Sequence, residues 1–113
     1  MSLQETDKAA GAVAKAERVR LVDIEEAIGG IYHVTGNRAL SDEALSHGHL
    51  APLSVLSICI VVMRNGFTII GKSAPAAPEN FNAELGRKLA YEDAVRQIWP
   101  LMGFALRNTI AGL

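Results

Sequence analysis

The chain has 113 residues, a formal net charge of −1 and a composition that is 50% hydrophobic. That length allows one small domain. The slightly acidic balance argues against DNA, RNA or an anionic membrane as partner, because each attracts a strong excess of Lys and Arg. A domain this small has too much surface to bury so many aliphatic side chains within one copy. We therefore expect a symmetric homo-oligomer, with a hexamer as its form.

Cysteine content and the amino terminus indicate the compartment. Cys59 is the only cysteine, which excludes an intrachain disulfide and a cysteine-based zinc site and fits a reducing compartment. The first residues lack the basic-then-apolar order of a signal peptide. The longest apolar stretch, near Ser57 to Met63, is too short to cross a bilayer as a helix. We expect a soluble intracellular protein.

The first predicted elements are a tail and a short helix. Residues 1–18 are Ala-rich and charged without a firm apolar stripe, which predicts a flexible N-terminal tail, with a frayed helix as the alternative. Residues 19–113 then form a single small α+β domain. From Leu21, apolar residues recur at helical spacing. Gly29-Gly30 loosens or ends this helix, leaving Tyr32 at or beyond its terminus. We expect residues 33–52 to form a long polar loop.

A two-stranded antiparallel hairpin follows. Asn65-Gly66 separates the apolar runs Val55 to Met63 and Phe67 to Ile70, and this dipeptide favours a type I′ turn in which both residues have positive φ. Residues at even and at odd positions of the first strand are both mainly apolar. A hairpin with one solvated face would alternate apolar with polar. We expect one face to pack on the chain's own helices and the other on a neighbouring subunit.

The last predicted element is a long helix that begins after Asn80 or Asn82, either of which is a suitable cap. Glu84, Lys88, Glu92 and Arg96 are spaced for i,i+4 pairs on its wet face. Pro100 predicts a kink or break. The apolar stripe before it consists of Leu85, Leu89, Val95 or Ala94, Ile98 and Trp99. Leu101 to Leu106 then resume the helix with an almost wholly apolar surface, which indicates burial. The fold class is thus α+β, with a short N-terminal helix, a two-stranded hairpin and a long Pro-kinked C-terminal helix, in an oligomer.

An ordered series of short motifs carries a family resemblance. The motifs are Arg64-Asn65-Gly66-Phe67-Thr68, Gly71-Lys72-Ser73-Ala74, Pro78-Glu79-Asn80-Phe81-Asn82, Gly86-Arg87-Lys88-Leu89-Ala90, Ala94 and Ile98-Trp99-Pro100-Leu101. In this order they resemble a family of small tailed-phage and prophage proteins that have long been catalogued as hypothetical. Leu21 to Tyr32 resembles the first helix of that family. The resemblance therefore covers residues 19 to 110.

The order of helix, hairpin and kinked long helix also resembles the phage anti-CBASS type 2 sponges. These are hexamers that sequester the cyclic di- and trinucleotide messengers of bacterial immunity. The resemblance implies an immune-evasion protein that binds these messengers in the host bacterial cytoplasm without cleaving them. It implies Tyr32 as the stacking aromatic and Arg87 or Lys88 as the phosphate-contacting cation. His47 and His49 occupy the loop where the sponges reach the ligand with a lysine and a hydroxyl.

The residues also support this site by their chemistry. A cyclic oligonucleotide offers base faces and phosphates, so an aromatic ring from one chain and a cation from another suffice to hold it. An equally good interpretation of Tyr32 is a tyrosine at the edge of the core. Lys88 is favoured as a solvated partner of Glu84 or Glu92. Arg87 has Ala83 and Tyr91 at i−4 and i+4, so it has no acidic partner on the helix.

The motif search favours a non-catalytic protein. The chain has no Gly-rich phosphate loop, no G-x-S-x-G nucleophile motif and no zinc signature. His33, His47 and His49 lack a spaced carboxylate or second thiol that would complete a metal site. We expect no enzyme activity and no cofactor. The alternative function is an accessory protein that binds a host or phage protein through an exposed apolar patch.

Overall fold

The computed structural model describes residues 1–40 and 48–113. Their strands form an antiparallel sheet in the order β1-β2-β3, and a long C-terminal helix lies on one face of it. The helices are α1 (Leu3–Val13), α2 (Leu21–Ala27), α3 (Leu50–Ser54) and α4 (Ala83–Ile110), and the strands are β1 (Ile28–Thr35), β2 (Ser57–Met63) and β3 (Thr68–Ser73). Single-turn helices occupy Gly36–Arg38 and Pro78–Asn80. The α+β class and the long C-terminal helix are confirmed.

The described sheet has three strands, so the prediction of two was wrong. Helix α2 ends at Ala27, and β1 follows directly, with Tyr32 opposite Ile60 and Thr35 opposite Ser57. Tyr32 therefore lies in the middle of a strand rather than at a helix end, and residues 33–35 belong to β1 rather than to a loop. Gly29-Gly30 concealed this strand, because glycine weakens a strand signal and commonly marks an irregularity. The register indeed shifts there, between Ile28 and Gly30.

The hairpin between β2 and β3 is confirmed, but its turn differs from the predicted one. Gly66 has a φ of 87°, whereas no described residue other than glycine has a positive φ. The predicted type I′ turn, which requires a positive φ at Asn65, was therefore wrong. The Gly66 amide donates to the Met63 carbonyl (2.9 Å), and the Met63 amide donates to the Phe67 carbonyl (2.8 Å). This is a three-residue loop in which a type I turn is followed by a left-handed glycine.

Replacing Gly66 tests this turn. Gly66→Val should lower the free energy of unfolding by about 1–3 kcal/mol, because a branched side chain is strained at positive φ. Thermal and urea unfolding measure the loss. Gly66→Asn is the matched control and should be tolerated better, since Asn adopts the left-handed region more readily. An unchanged melting temperature in the Val variant would contradict the turn geometry.

The core lies between α4 and one face of the sheet. Alternate residues of β2 are buried, beginning at Ser57 and ending at Met63, and they face the buried stripe of α4. That stripe consists of Ala90, Ala94, Val95 and Ile98. The predicted packing of one hairpin face on the chain's own helix is thus confirmed. Cys59 is fully buried in this layer, and burial raises the pKa of its thiol above the ordinary value.

Glycine at position 71 lets α4 lie directly on β3. A Cβ added at Gly71 would fall inside the van der Waals shell of the Ala90 carbonyl oxygen and 2.6 Å from the Ala94 amide nitrogen. Both neighbours are backbone atoms, which cannot rotate away. The small residues of α4 and Gly71 therefore fix the distance between helix and sheet.

Helix α4 has one of its two predicted caps and departs from its prediction in three other respects. Of the two candidate caps, Asn82 is the one used, and its Oδ1 accepts a hydrogen bond from the Leu85 amide (2.9 Å). The helix runs unbroken through Pro100. Leu85 and Leu89 lie outside the core, being 50% and 41% exposed. Within residues 1–40 and 48–113 the ion pairs are those of Arg18 and Arg20 with aspartates, so the predicted i,i+4 pairs of α4 are not formed.

The amino-terminal segment, predicted as a flexible tail, contains α1. The Ser2 hydroxyl accepts from the Glu5 amide (3.0 Å), and Leu3 is buried. Asp7 accepts from the Arg18 guanidinium (2.9 Å) and from the Leu21 amide (3.0 Å), so it ties α1 to the start of α2. The hydrogen bond from Arg18 is the main cause that lowers the pKa of Asp7 below its ordinary value. These links span 11 and 14 residues, which local pattern analysis does not detect.

The N-terminal segment is also joined to the far end of the chain. The indole N–H of Trp99 donates to the Val19 carbonyl (3.1 Å) across 80 residues of sequence. Val19 packs against the buried core at the same place. None of the helices in the described ranges has the length and apolar character needed to cross a membrane.

Candidate functional site

A polar pocket of about 490 Å³ lies beside the beginning of α4, at the end of the sheet where β1 finishes and β2 starts. Strand β1, the Gly36–Arg38 turn, α3 and the start of α4 all contribute to its walls. Its lining residues are His33, Val34, Thr35, Asn37, Arg38, Ser54, Ser57, Phe81, Ala83 and Arg87. None of these is acidic, and three are basic.

The basic residues come from three separate elements. His33 is on β1, Arg38 ends the single-turn helix after it, and Arg87 is in the second turn of α4. Partial burial and then the positive charge of Arg87 lower the pKa of His33 below its ordinary value, so the imidazole is neutral at pH 7. Among the described residues Arg87 has no ion-pair partner. No described acid therefore competes with an anion from solution for its guanidinium.

Close packing beneath the pocket determines the place of Arg87. A side chain at Gly86 would clash with the hydroxyl of Ser57, which is only 4% exposed. Glycine thus lets the first turns of α4 approach β2, and the next residue along the helix is Arg87. This contact indicates that Gly86 serves the packing of α4 on the sheet.

Asn37, one of the lining residues, has an unsatisfied polar atom. Its Oδ1 is buried and accepts no hydrogen bond from any described residue. A buried acceptor without a donor costs about 1–3 kcal/mol. A ligand with an N–H or O–H group that reached this atom would remove that penalty.

Of the five predicted site residues, four lie in the described part of the chain, and one of these four lines the pocket. Arg87 lines it. Tyr32 is 62% exposed and is on the opposite face of the sheet from its neighbour His33, because successive strand residues point to opposite faces. Lys88 and His49 are exposed and do not line the pocket. His47 lies outside the described residues.

Nine of the ten lining residues were not predicted as ligand contacts, and four of these nine have basic, amide or aromatic side chains suited to a ligand: His33, Asn37, Arg38 and Phe81. His33 was considered only as a metal ligand. Within the described part of the chain, no group of three or more His, Cys, Asp and Glu side chains is placed to hold a metal ion. Phe81 directly precedes Asn82, the cap of α4, and its half-buried place beside the pocket is a property of the fold that the sequence did not signal.

A second concavity, of about 480 Å³, is apolar and lies between the hairpin turn and the carboxyl-terminal half of α4. Its walls include Met63, Phe67 and Ile69 from the hairpin and Leu101 and Met102 from the helix. Phe104, one residue beyond Gly103 on the same helix, is 71% exposed. This half of α4 extends past the sheet and presents apolar side chains to solvent.

Comparison with known proteins places the chain in a family. No curated protein and no solved structure matches it. A family model described as the phage protein (N4 Gp49/phage Sf6 gene 66) family matches residues 21–110, from the first residue of α2 to the last residue of α4. The matched part contains all three described strands and the polar pocket. The chain therefore belongs to the phage protein (N4 Gp49/phage Sf6 gene 66) family.

Proposed function

We propose that this phage-family protein is an anti-defence sponge that binds cyclic di- or trinucleotide messengers in the polar pocket and releases them chemically unchanged. The observation that carries the proposal is the combination of Arg38, Arg87 and Phe81 around one pocket, in which none of the described lining residues is acidic. The resemblance to the anti-CBASS type 2 sponges supports the class of ligand. Sequestration requires tight binding and no reaction.

The arginines suit the phosphates of such a ligand. A guanidinium presents a planar set of N–H donors that match two phosphate oxygens at once. Arg38 and Arg87 line the pocket from different elements. The two guanidinium groups can therefore contact two phosphates of one cyclic nucleotide or two oxygens of one phosphate. A neutral His33 adds either a donor or an acceptor without adding charge.

The rest of the pocket suits a sugar and a base. Phe81 is partly buried and offers an aromatic surface, and stacking on such a surface accepts any base. The hydroxyl of Thr35 is a partner for ribose hydroxyls and base N–H groups. The Ser54 hydroxyl donates to the Leu50 carbonyl and can still accept, and Asn37 Oδ1 lacks a donor among the described residues. A volume of about 490 Å³ falls within the range of small-molecule sites.

In this proposal Tyr32 can contact only a ligand that is bound in the pocket of a neighbouring subunit. Since the sheet separates its side chain from the pocket of its own chain, stacking by Tyr32 requires a second copy whose pocket faces it. Contacts from His47 and His49 remain predictions of the same kind, whereas Lys88 is exposed outside the pocket and is given no ligand contact in this proposal. Arg87 is the predicted residue with which a test should begin.

Calorimetry of Arg87→Ala against a panel of cyclic di- and trinucleotides tests the function. Loss of a charge-assisted phosphate contact should cost about 1.5–3 kcal/mol, or roughly ten- to a hundredfold in affinity. Lys88→Ala removes the adjacent charge from the same helix and is the matched control, for which we expect an affinity close to that of the unsubstituted protein. Nucleotide recovered after heat denaturation should be unaltered.

Two outcomes would refute the proposal. One is the absence of heat with every nucleotide of the panel. The other is an equal loss of affinity in the Arg87 and Lys88 variants, which would indicate a general charge effect rather than a contact in this pocket.

A second candidate function is the docking of a host or phage protein without catalysis. The apolar concavity beside the hairpin turn favours it, since the adjacent Leu101 and Phe104 are 47% and 71% exposed. Grooves of this kind accept an amphipathic helix. If no nucleotide binds while Phe104→Asp abolishes a protein interaction that Arg87→Ala preserves, this candidate replaces the first.

A further inference from the structure

We propose that two copies of this chain pack against each other through the outer face of the sheet, the face turned away from α4. This face is formed by Tyr32, Val34, Ile58, Ile60, Val62 and Ile70. The inference does not depend on nucleotide binding by Arg38 and Arg87, but it places Tyr32 in the interface between copies, where its ring is not available to stack on a base.

The strand register places these side chains on one surface. Tyr32, Ile60 and Ile70 are directly opposite one another across the three strands, and directly opposite residues point to the same side of an antiparallel sheet. Cys59 and Val61 are buried beneath α4. Because side chains alternate along a strand, their neighbour Ile60 must point away from the helix.

The outer face is apolar and open to solvent. Tyr32 is 62% exposed and Ile70 59% exposed, at opposite edges of the sheet, and the central Ile60 between them is partly exposed. An antiparallel sheet that leaves one face in water normally has polar side chains there. Among the described residues, Lys72 is the one charged side chain in the rows of directly opposite residues on this face. It lies opposite Ile58, in the row next to the one that contains Ile60. Such a surface is typical of a protein interface.

The shape of the face fits a second copy. Three strands of this length cover roughly 350 Å² in projection, so the face would form the centre of an interface whose standard size is ~800 Å² per partner, with flanking surfaces supplying the rest. Two sheets with the same twist pack face to face in a well-known aligned arrangement. A two-fold axis in the plane of the sheet, along or across the strands, keeps the two copies of Lys72 apart. The face is therefore compatible with itself in both shape and charge.

Light scattering at micromolar concentration tests the interface with matched lysine substitutions. The unsubstituted protein should have the mass of a dimer or of an even multiple, six copies included. Ile70→Lys should halve the number of copies or reduce the protein to monomers, because it buries a charge at the centre row. Ile110→Lys is the control, since Ile110 is 57% exposed but lies near the end of α4. It should leave the mass unchanged.

Circular dichroism should show that both variants are folded, because both positions are exposed in the single chain. Tyr32→Lys, at the other edge of the sheet, should dissociate the assembly in the same way, so the result does not depend on one variant. A monomeric unsubstituted protein would overturn the proposal and leave the outer face to a different partner. An oligomer whose mass survives both Ile70→Lys and Tyr32→Lys would overturn it as well.

Discussion

Gly71→Ala should lower the free energy of unfolding by about 3 kcal/mol or more, at the upper end of the range for overpacked sites. The added methyl group would collide with the Ala90 carbonyl oxygen and lie 2.6 Å from the Ala94 amide nitrogen. Since both are backbone atoms of a rigid helix, α4 would have to move away from β3. That movement would open the packing along the buried stripe of the helix.

Urea unfolding followed by circular dichroism measures this loss. Gly103→Ala is the matched control, because a Cβ at Gly103 in the same helix α4 meets no atom within 4 Å. That variant should gain about 0.5–1 kcal/mol from the better helix propensity of alanine. Equal stability of the two variants would show that α4 does not lie on β3 at the described distance.

Ile98→Ala should destabilise the protein by about 2–5 kcal/mol, the usual result of removing a large aliphatic side chain from a core. Ile98 is 1% exposed and is one of the largest fully buried side chains of the described residues. A small domain has a total stability of about 5–15 kcal/mol. The substitution therefore removes a large share of it, and partial unfolding at 37 °C is expected.

Ile110→Ala provides the comparison for Ile98→Ala. The same chemical change at a position that is 57% exposed should alter stability by only about 0.5 kcal/mol. Denaturant midpoints for both variants, measured at one protein concentration, separate loss of the core from any effect on assembly. Similar midpoints for the two variants would contradict the described burial of Ile98.

Short-range signals predicted the parts of the fold that depend on short-range chemistry. Asn65-Gly66 identified the hairpin, and Asn82 was one of two caps proposed for the long helix. Strand β1 was not predicted because Gly29-Gly30 interrupts it and because its partner residues on β2 are 22 to 35 positions away in sequence. Helix α1 was not the preferred prediction, because the hydrogen bonds that hold it in place join Asp7 to residues 18 and 21. Interactions of this range are specified by tertiary packing rather than by local periodicity.

The candidate site was predictable to a smaller extent. Arg87 stood out because its helical neighbours at i−4 and i+4 offer no acid, and the structure indeed leaves it unpaired among the described residues. Arg38 and Phe81 have no such signal. They join Arg87 only because the end of β1 and the start of α4 meet beside Ser57. Tyr32 was predicted at a helix end, and its place in a strand directs it to the other side of the sheet.

The hydrogen bond between Trp99 and Val19 gives the chain an intrinsic optical reporter. Trp99 is the only tryptophan, and its partly buried indole donates to a carbonyl of the segment that joins α1 to α2. Tryptophan emission shifts to longer wavelength when the indole becomes exposed to water. The fluorescence of the unlabelled protein therefore follows whether the amino-terminal segment, which precedes the family-matched residues 21–110, stays attached to α4.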